Sequence, residues 1–252
     1  MAGDSSRALI ALGVLLALGM SVGAYVLGYQ AKQIGGGRQS ISVKGLAEKP
    51  VKADVAEWTV GVHLLGTTRA EALQKSRAAL PDLRQFLVSQ GFDPAVMRDS
   101  PERVTDFYVE KQMPDGRVRN VQQGYRSSQE IVLTSPDLAK IETAYRAIVQ
   151  FQAEGHPVTF SEPAYLVSNL EDVKMSLIGA ATDNAKVRAA EFAKHGGVEV
   201  GPMRTASQGS FYILPAGAST EVDDYGYGGT YDKSTIDKIA RVVVTIEYGI
   251  EH

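Results

Sequence analysis

The segment ISVKGLAEKPVKADVAEWTVGVHL, residues 41–64, contains two runs in which apolar and polar side chains alternate. In the second run, residues 56–64, every even-numbered residue is apolar and every odd-numbered residue is polar or glycine. A period of two predicts a β-strand with one buried face. Residues 41–43 alternate in the same way, residues 45–50 interrupt the pattern, and the phase shifts near residues 54–55. The segment therefore predicts a strand, a bent joint and a second strand with a bulge at its start.

The N-terminal region is much more apolar than the rest of the chain. Residues 8–28, ALIALGVLLALGMSVGAYVLG, contain no charged residue. At the rise of an α-helix they would span about 31 Å, close to the thickness of a bilayer core. They predict a transmembrane signal-anchor helix, preceded by a short tail (residues 1–7) and followed by a glycine-rich tether (residues 29–39). A cleavable signal peptide is the alternative, although its apolar region is usually only about 7–15 residues long.

The basic residues on either side of this helix do not decide its orientation in the membrane. Lys32, Arg38 and Lys44 follow the apolar run, whereas Arg7 precedes it. This excess of basic residues mildly favours a cytoplasmic location for the large C-terminal region. However, a short N-terminal tail before a single apolar span is also the layout of exported signal-anchor proteins.

Composition excludes several classes of function. The chain of 252 residues contains no cysteine, which excludes disulfides, thiolate catalysis and thiolate metal sites. Its net charge of −3 comes from 26 basic and 29 acidic residues spread along the chain. Nucleic-acid binding requires a cluster of basic residues, and the basic residues of this sequence are not clustered in that way. We therefore expect no nucleic-acid partner.

Three long helices are predicted. The first begins at Thr68, which with Glu71 has the spacing of a capping box, and ends at Gly91; Pro81 should kink or divide it. The second has Ser135 as its N-cap and Pro136 at its first position. The third covers about residues 170–195 and is rich in alanine, so it can lie close to a sheet.

The remaining segments are predicted to be strands. Residues 103–112 and 117–134 flank the turn sequence MPDG and should form a long hairpin. Residues 158–167, 199–213 and 236–248 supply further strands.

Three segments together resemble the SIMPL domain family, a group once labelled a domain of unknown function. They are ISVKGLAEKPVKADVAEWTVGV (41–62), GYRSSQEIVLTSPDLAKIETAY (124–145) and AATDNAKVRAAEFAKHGGVEVGPMRTASQG (180–209). The resemblance implies a mixed α/β (α+β) domain over residues 40–252, built of antiparallel strands packed with three long helices. It also implies an exported setting in the bacterial cell envelope, and hence a single-pass inner-membrane protein with its large domain in the periplasm. It associates the family with stress tolerance and implies no catalytic residues.

The sequence provides little sign of catalysis. The four histidines do not have the spacing of metal ligands, and for each we expect a structural or solvated role; they are His63, His156, His195 and His252. Phosphate-binding, dinucleotide-binding and nucleophile-elbow motifs are not found. We therefore expect no catalytic residue, no cofactor and no metal site.

One long loop is unusual. Residues 214–234, LPAGASTEVDDYGYGGTYDKS, are rich in glycine and contain acidic and tyrosine side chains. Loops of this length are uncommon in compact domains and are often either functional or disordered. A disordered insertion and a contact loop are equally good interpretations, since tyrosine is enriched at interfaces. The candidate interaction residues are Asp223, Asp224, Tyr225, Tyr227 and Tyr231.

Three functional hypotheses follow. The first is a membrane-anchored, non-enzymatic cell-envelope protein whose SIMPL-like domain forms a homo-oligomer, with an unidentified envelope partner also open. The second is a periplasmic binding module for a small molecule, a lipid or a cell-wall fragment. The third is an enzyme that uses carboxylates, for which the candidates are Asp54, Glu57, Glu221, Asp223 and Asp224.

Overall fold

The structure is a computed structural model that describes residues 13, 16–26, 39–114, 116–217 and 229–251. It confirms a mixed α+β architecture with antiparallel sheets. The chain divides into two compact units. Unit 1 contains the described residues of 1–47, 175–210 and 242–252, and unit 2 contains residues 48–174 and those of 211–241.

Unit 2 is built on a sheet of short and long strands around β2 and β5. The strands are β2 (Val55–Gly66), β3 (Met97–Asp99), β4 (Arg103–Gln112), β5 (Val118–Ser135), β6 (Val158–Phe160) and β7 (Ala164–Leu166). Strand β2 pairs with β5 along one edge and with β6 and β7 along the other. Strands β3 and β4 pair with the opposite edge of β5.

Helices α1 (Arg69–Ser89) and α2 (Leu138–Ala153) supply the other apolar side chains of the unit 2 core. The alternation predicted for β2 is confirmed, because Trp58, Val60 and Val62 are 0% exposed. Each such apolar side chain contributes roughly 1.5–3 kcal/mol when it is buried. The indole Nε1–H of Trp58 donates a hydrogen bond of 3.0 Å to the carbonyl oxygen of Ser161, so the polar group of this core residue is satisfied.

The start of α1 is as predicted, whereas the predicted start of α2 is wrong. Thr68 caps α1 by accepting a hydrogen bond from the amide of Glu71, and the helix is not divided at Pro81. The N-cap of α2 is Asp137, whose carboxylate accepts a hydrogen bond of 3.0 Å from the amide of Lys140. Ser135 is instead the last residue of β5, and its hydroxyl accepts a hydrogen bond from the amide of Asp137.

Two predicted strand boundaries are also wrong. Strand β1 (Ser40–Lys52) runs without a break through residues 45–50, and the interruption falls between it and β2. There Asp54 donates its amide to the carbonyl of Leu166, 3.0 Å away. The predicted strand 158–167 is two short strands, β6 and β7, because their registers on β2 differ by one residue: Val60 pairs with Phe160, whereas Glu57 pairs with Ala164.

Unit 1 contains most of helix α3 (Leu170–Gly196) and parts of β1, β8 (Glu199–Pro215) and β9 (Asp237–Glu251), whose order in the sheet is β1-β9-β8. The close packing expected of the alanine-rich helix is confirmed at Gly45. A Cβ atom added there would meet the carbonyl oxygen of Ala181 and would lie 2.8 Å from the Cβ of Ala185. Gly45 therefore permits contact between helix and strand and does not break the strand.

The predicted N-terminal transmembrane segment is described only in part. Residues 16–26 are helical, so the described residues contain four α-helices, one more than the three long helices of the domain. No helix in that part of the chain is both long enough and apolar enough to cross a bilayer. Residues 1–12, 14–15 and 27–38, which include the tail and most of the tether, lie outside the described residues.

Candidate interaction surface

The hairpin of β4 and β5 extends beyond the rest of the unit 2 sheet. Strand β2 ends at Gly66, which pairs with Tyr125. Within the described residues, the part of β5 that precedes Tyr125 pairs with β4 alone, and β4 pairs with β5 alone. We call residues 108–114 and 116–123 the β4–β5 arm.

A bulge and a glycine mark the base of the β4–β5 arm. Phe107 pairs with Gly124 and Tyr108 pairs with Gln122, so Gln123 is an extra residue in β5. A bulge of this kind bends a strand and increases its twist. A Cβ atom at Gly124 would collide with the carbonyl oxygen of Gly66, so the close approach of the two strands here requires glycine.

The β4–β5 arm exposes apolar side chains. Tyr108 is 53% exposed, Val118 is 62% exposed and Val121 is 38% exposed. An isolated two-stranded ribbon is only marginally stable in water. Unpaired strand edges also offer backbone N–H and C=O groups to another strand. The β4–β5 arm therefore combines exposed apolar area with open hydrogen-bonding edges, which are the properties of a surface that pairs with another chain.

Three ion pairs join helix α1 to the segment that leads into the β4–β5 arm. They are Arg84 with Asp99, Arg77 with Glu102, and Arg69 with Asp106. The arginines are eight and seven residues apart, which places them on one face of the helix at intervals of about two turns.

The middle pair is bidentate. Nε and Nη2 of Arg77 donate to the two carboxylate oxygens of Glu102 at 2.8 and 2.7 Å. These hydrogen bonds lower the pKa of Glu102 and raise the pKa of Arg77. None of the three ion pairs was predicted from the sequence, although the spacing of the three arginines along a predicted helix was a usable signal.

Two aromatic contacts fix the base of the arm further. The guanidinium of Arg126 lies 4.7 Å from the centroid of the Phe107 ring, and that of Arg69 lies 5.1 Å from the centroid of the Tyr125 ring. Cation–π contacts of this geometry are worth about 0.5–1 kcal/mol each at exposed sites. The base of the arm is thus held by side chains from α1 and from the sheet.

Among the residues predicted for the interaction loop, only Tyr231 lies within the described part of the chain. Asp223, Asp224, Tyr225 and Tyr227 lie outside it. The hydroxyl of Tyr231 accepts a hydrogen bond of 2.9 Å from the amide of Val167, and its backbone forms a bridge with Ile213. Tyr231 therefore anchors the C-terminal end of this loop to unit 2.

A buried ion pair lies next to that anchor. The side chain of Lys238 is 0% exposed, and its Nζ donates to the carbonyl oxygen of Asp232 at 2.7 Å and to its Oδ2 at 2.9 Å. Burial raises the pKa of Asp232, but hydrogen bonds from Thr235, Ser234 and Lys238 outweigh burial and hold that pKa well below its usual range. This pair joins the C-terminal end of the predicted loop to the start of β9.

Comparison with known families agrees with the three segments that suggested a resemblance. The family model for SIMPL, described as "Protein of unknown function (DUF541)", matches residues 41–245. The chain belongs to the SIMPL family. No curated protein matches the chain.

Two of the other candidate carboxylates of the SIMPL domain, Asp54 and Glu57, lie among the described residues. The carboxylate of Asp54 accepts hydrogen bonds from the hydroxyl and the amide of Ser168, and the first of these is the main cause of its lowered pKa. Glu57 lies on β2 opposite Thr134, and Glu221 lies outside the described residues.

Three of the four histidines lie in the described part of the SIMPL domain. His63, His156 and His195 each face a single carboxylate at 3.9 Å, and His252 lies outside the described residues. Within the described ranges, no three of its histidine and acidic side chains are grouped so that they could hold a metal ion.

A second surface of the SIMPL domain is recessed around Glu130. Nε2 of His63 lies 3.9 Å from Oε1 of Glu130, on neighbouring strands β2 and β5. Cavities of about 230 and 260 Å³ both include Glu130 in their walls; the first also includes Thr59 and Phe160, and the second Arg103. Each volume is below the roughly 300 Å³ at which ligand pockets usually begin.

Proposed function

We propose that this SIMPL protein is a non-enzymatic protein of the bacterial cell envelope that assembles into a homo-oligomer through its β4–β5 arm. Residues 8–28 anchor it in the inner membrane, and the domain over residues 40–252 lies in the periplasm. The observation that carries the proposal is the arm itself, whose two strands pair only with each other in the described structure and expose Tyr108, Val118 and Val121.

Assembly would be favourable because the arm leaves apolar side chains and unpaired backbone groups exposed to water. Covering a partly exposed aromatic or aliphatic side chain contributes about 25 cal/mol per Å² of apolar area removed from solvent. Strand pairing along an open edge adds backbone hydrogen bonds, each worth about 0.5–1.5 kcal/mol net. The ion pairs from α1 fix the base of the arm in advance, which reduces the conformational entropy that a partner must remove.

Assembly is tested with the full-length chain in mild detergent, by light scattering after size exclusion. The double variant Tyr108→Lys, Val118→Lys places two charges on the arm and should lower the mass to that of the monomer. Val149→Lys is the matched control, because Val149 is 52% exposed on α2 and lies outside the arm. An unchanged mass of the double variant would contradict the role of the arm.

Membrane anchoring is supported by the length and apolar character of residues 8–28. The proposed orientation is tested by adding a protease to spheroplasts of the expressing bacterium. We expect digestion of the large domain without lysis, and protection of a cytoplasmic control protein. Protection of the large domain until lysis would contradict the periplasmic orientation.

A second candidate is a binding module for a cell-wall fragment, whose ligand would have to be small because the two cavities beside Glu130 measure only about 230 and 260 Å³. A ligand that binds only the folded protein raises its melting temperature in proportion to the logarithm of ligand concentration. We expect such a rise with the correct fragment and its loss in Glu130→Ala. Melting temperatures that stay constant at millimolar concentrations of cell-wall fragments would count against this candidate.

A further inference from the structure

A third cavity, of about 330 Å³, is lined by helix α1, the end of helix α2 and the turn that follows α2. This volume lies within the range of about 300–1,000 Å³ that is usual for ligand pockets. Four of its lining residues lie on one face of α1, at the spacing i, i+3, i+4 and i+7. They are Asp82, Gln85, Phe86 and Ser89. The other described lining residues are Phe151 of α2 and His156 of the turn.

The aromatic side of the cavity is a set of stacked rings. The ring centroid of Phe151 lies 4.6 Å from that of Phe86, with an angle of 22° between the ring planes. It lies 3.8 Å from the centroid of the His156 ring, with an angle of 9°. Stacked pairs at such distances are favourable beyond the area that they bury. The aromatic side is therefore formed by contacts within the chain and needs no ligand to assemble it.

The turn that carries His156 is fixed by its backbone. Gly155 has a φ of +98°, and its amide donates to the carbonyl oxygen of Gln152 at 3.0 Å. The amide of Val158 donates to the carbonyl oxygen of His156 at 2.8 Å, and Nε2 of Gln152 donates to the carbonyl oxygen of Val158 at 2.8 Å. Because the backbone on both sides of His156 is held, less conformational entropy is lost when a ligand binds against its ring.

The polar side of the cavity contains one carboxylate among the described lining residues. The side chain of Asp82 is 61% exposed, and its Oδ2 lies 3.9 Å from Nδ1 of His156. This distance is too long for a hydrogen bond, so His156 leaves the carboxylate oxygens accessible to another donor. The cavity thus places an accessible negative charge beside a stack of aromatic rings.

We propose that this cavity binds a small organic cation, with its positive nitrogen at Asp82 and its apolar or flat part against the aromatic rings. A carboxylate attracts a cation by its charge, and aromatic faces attract it by their quadrupole. The same two features disfavour an anion such as phosphate. The site lies outside the β4–β5 arm and away from the cavities beside Glu130, so it does not depend on either function proposed above.

The probe for this site is benzylammonium, which joins a flat ring to a cationic nitrogen. Benzyl alcohol is the neutral probe of nearly the same shape. Both dissociation constants are measured by ligand-observed nuclear magnetic resonance with the full-length chain in a nonionic detergent, and the signal from detergent without protein is subtracted. Asp82→Asn removes the charge and keeps the size of the side chain. Glu191→Gln is the matched control, because Glu191 on α3 is 62% exposed and also faces one histidine, His195, at 3.9 Å.

We expect the parent to bind benzylammonium about two- to fivefold more tightly than benzyl alcohol, since an exposed ion pair contributes a factor of up to about this size. Asp82→Asn should remove this preference, and Glu191→Gln should keep it. Equal binding of the two probes by the parent would overturn the proposal, as would a preference that survives in Asp82→Asn. A parent signal no larger than that of detergent alone would overturn it too.

The aromatic side is tested by Phe151→Leu, which removes the ring that stacks on both others. This variant should weaken the binding of both probes at least about twofold. Its circular dichroism spectrum is recorded alongside to show that it is folded. Unchanged binding of both probes by the folded variant would contradict the role of the rings.

Discussion

The substitution Gly45→Ala tests the close packing of helix α3 on strand β1. The added Cβ would lie 2.8 Å from the Cβ of Ala185 and 2.9 Å from its amide nitrogen, whereas ordinary contacts begin at 3.4 Å. It would also meet the carbonyl oxygen of Ala181. Because backbone atoms form two of these contacts, a side-chain rotation cannot relieve them, and the helix or the strand must move.

The expected loss of stability follows from opposing effects. Overpacking of this kind typically costs about 1–3 kcal/mol. Replacing glycine by alanine reduces the entropy of the unfolded chain, which stabilises the folded state by about 0.4–1 kcal/mol. Movement of α3 would also stretch two hydrogen bonds beside Gly45, from the amide of Leu46 to Asn184 and from Arg188 to the carbonyl of Lys44, both 3.1 Å long. We therefore expect a net loss of about 1–2 kcal/mol.

The assay is urea unfolding of the full-length chain in mild detergent, followed by far-ultraviolet circular dichroism. Gly179→Ala is the matched control, because Gly179 lies on the exposed face of the same helix and its added Cβ would meet no atom within 4 Å. That control should gain stability, by up to about 1 kcal/mol, since alanine is the better helix former. If Gly45→Ala were as stable as the parent, the packing argument would be refuted.

Three further substitutions test the anchor of the predicted loop and the cap of α1. Tyr231→Phe should lower the free energy of unfolding by about 1–3 kcal/mol because it removes the acceptor of the buried Val167 amide; an unchanged urea midpoint would contradict this anchoring role. Lys238→Met leaves Asp232 without its buried cation and should cost about 3–5 kcal/mol; thermal unfolding at the parent temperature would contradict this. The pKa of Glu71 is lowered to about 2, first by a hydrogen bond from Lys75 and then by Thr67, so its stabilising effect is present above the ordinary glutamate pKa and is lost as the pH falls toward 2. Glu71→Gln should therefore have a lower urea midpoint than the parent at pH 7, with the difference disappearing near pH 2; a difference that persists at pH 2 would refute the assignment.

Local patterns in the sequence predicted much of the fold correctly. The alternation around Trp58 identified β2 and its buried face, and the turn sequence between residues 112 and 117 identified the β4–β5 hairpin. Thr68 and Glu71 identified the first turn of α1. These features depend on residues close in sequence, so their physical cause is visible without the tertiary structure.

Other features depend on contacts between distant segments. The local sequence predicts a break at Gly45, but the role of this glycine is set by Ala181 and Ala185, more than 130 residues away. Ser135 was interpreted as a helix cap, although pairing with Ala56 retains it in β5. Sequence patterns give no direct information on such pairings.

The candidate surface was predicted least well. The hairpin was predicted, but its extension beyond β2 depends on the register of β2 with β5, in which Gly66 pairs with Tyr125. The sequence does not indicate that register. The sequence points instead to the tyrosine-rich loop, because its length and composition are unusual. Of its predicted residues, Tyr231 contacts the backbone of its own domain. The role of the other four as contact residues stays a prediction.

Assembly through the β4–β5 arm is tested most simply by the mass of the full-length protein in mild detergent, measured over a wide range of concentrations. We predict one discrete mass that is a multiple of the 27.1 kDa chain. We also predict that the double variant Tyr108→Lys, Val118→Lys loses this mass while Val149→Lys keeps it. A parent protein that stays monomeric at every concentration would contradict the proposal that this protein forms a homo-oligomer.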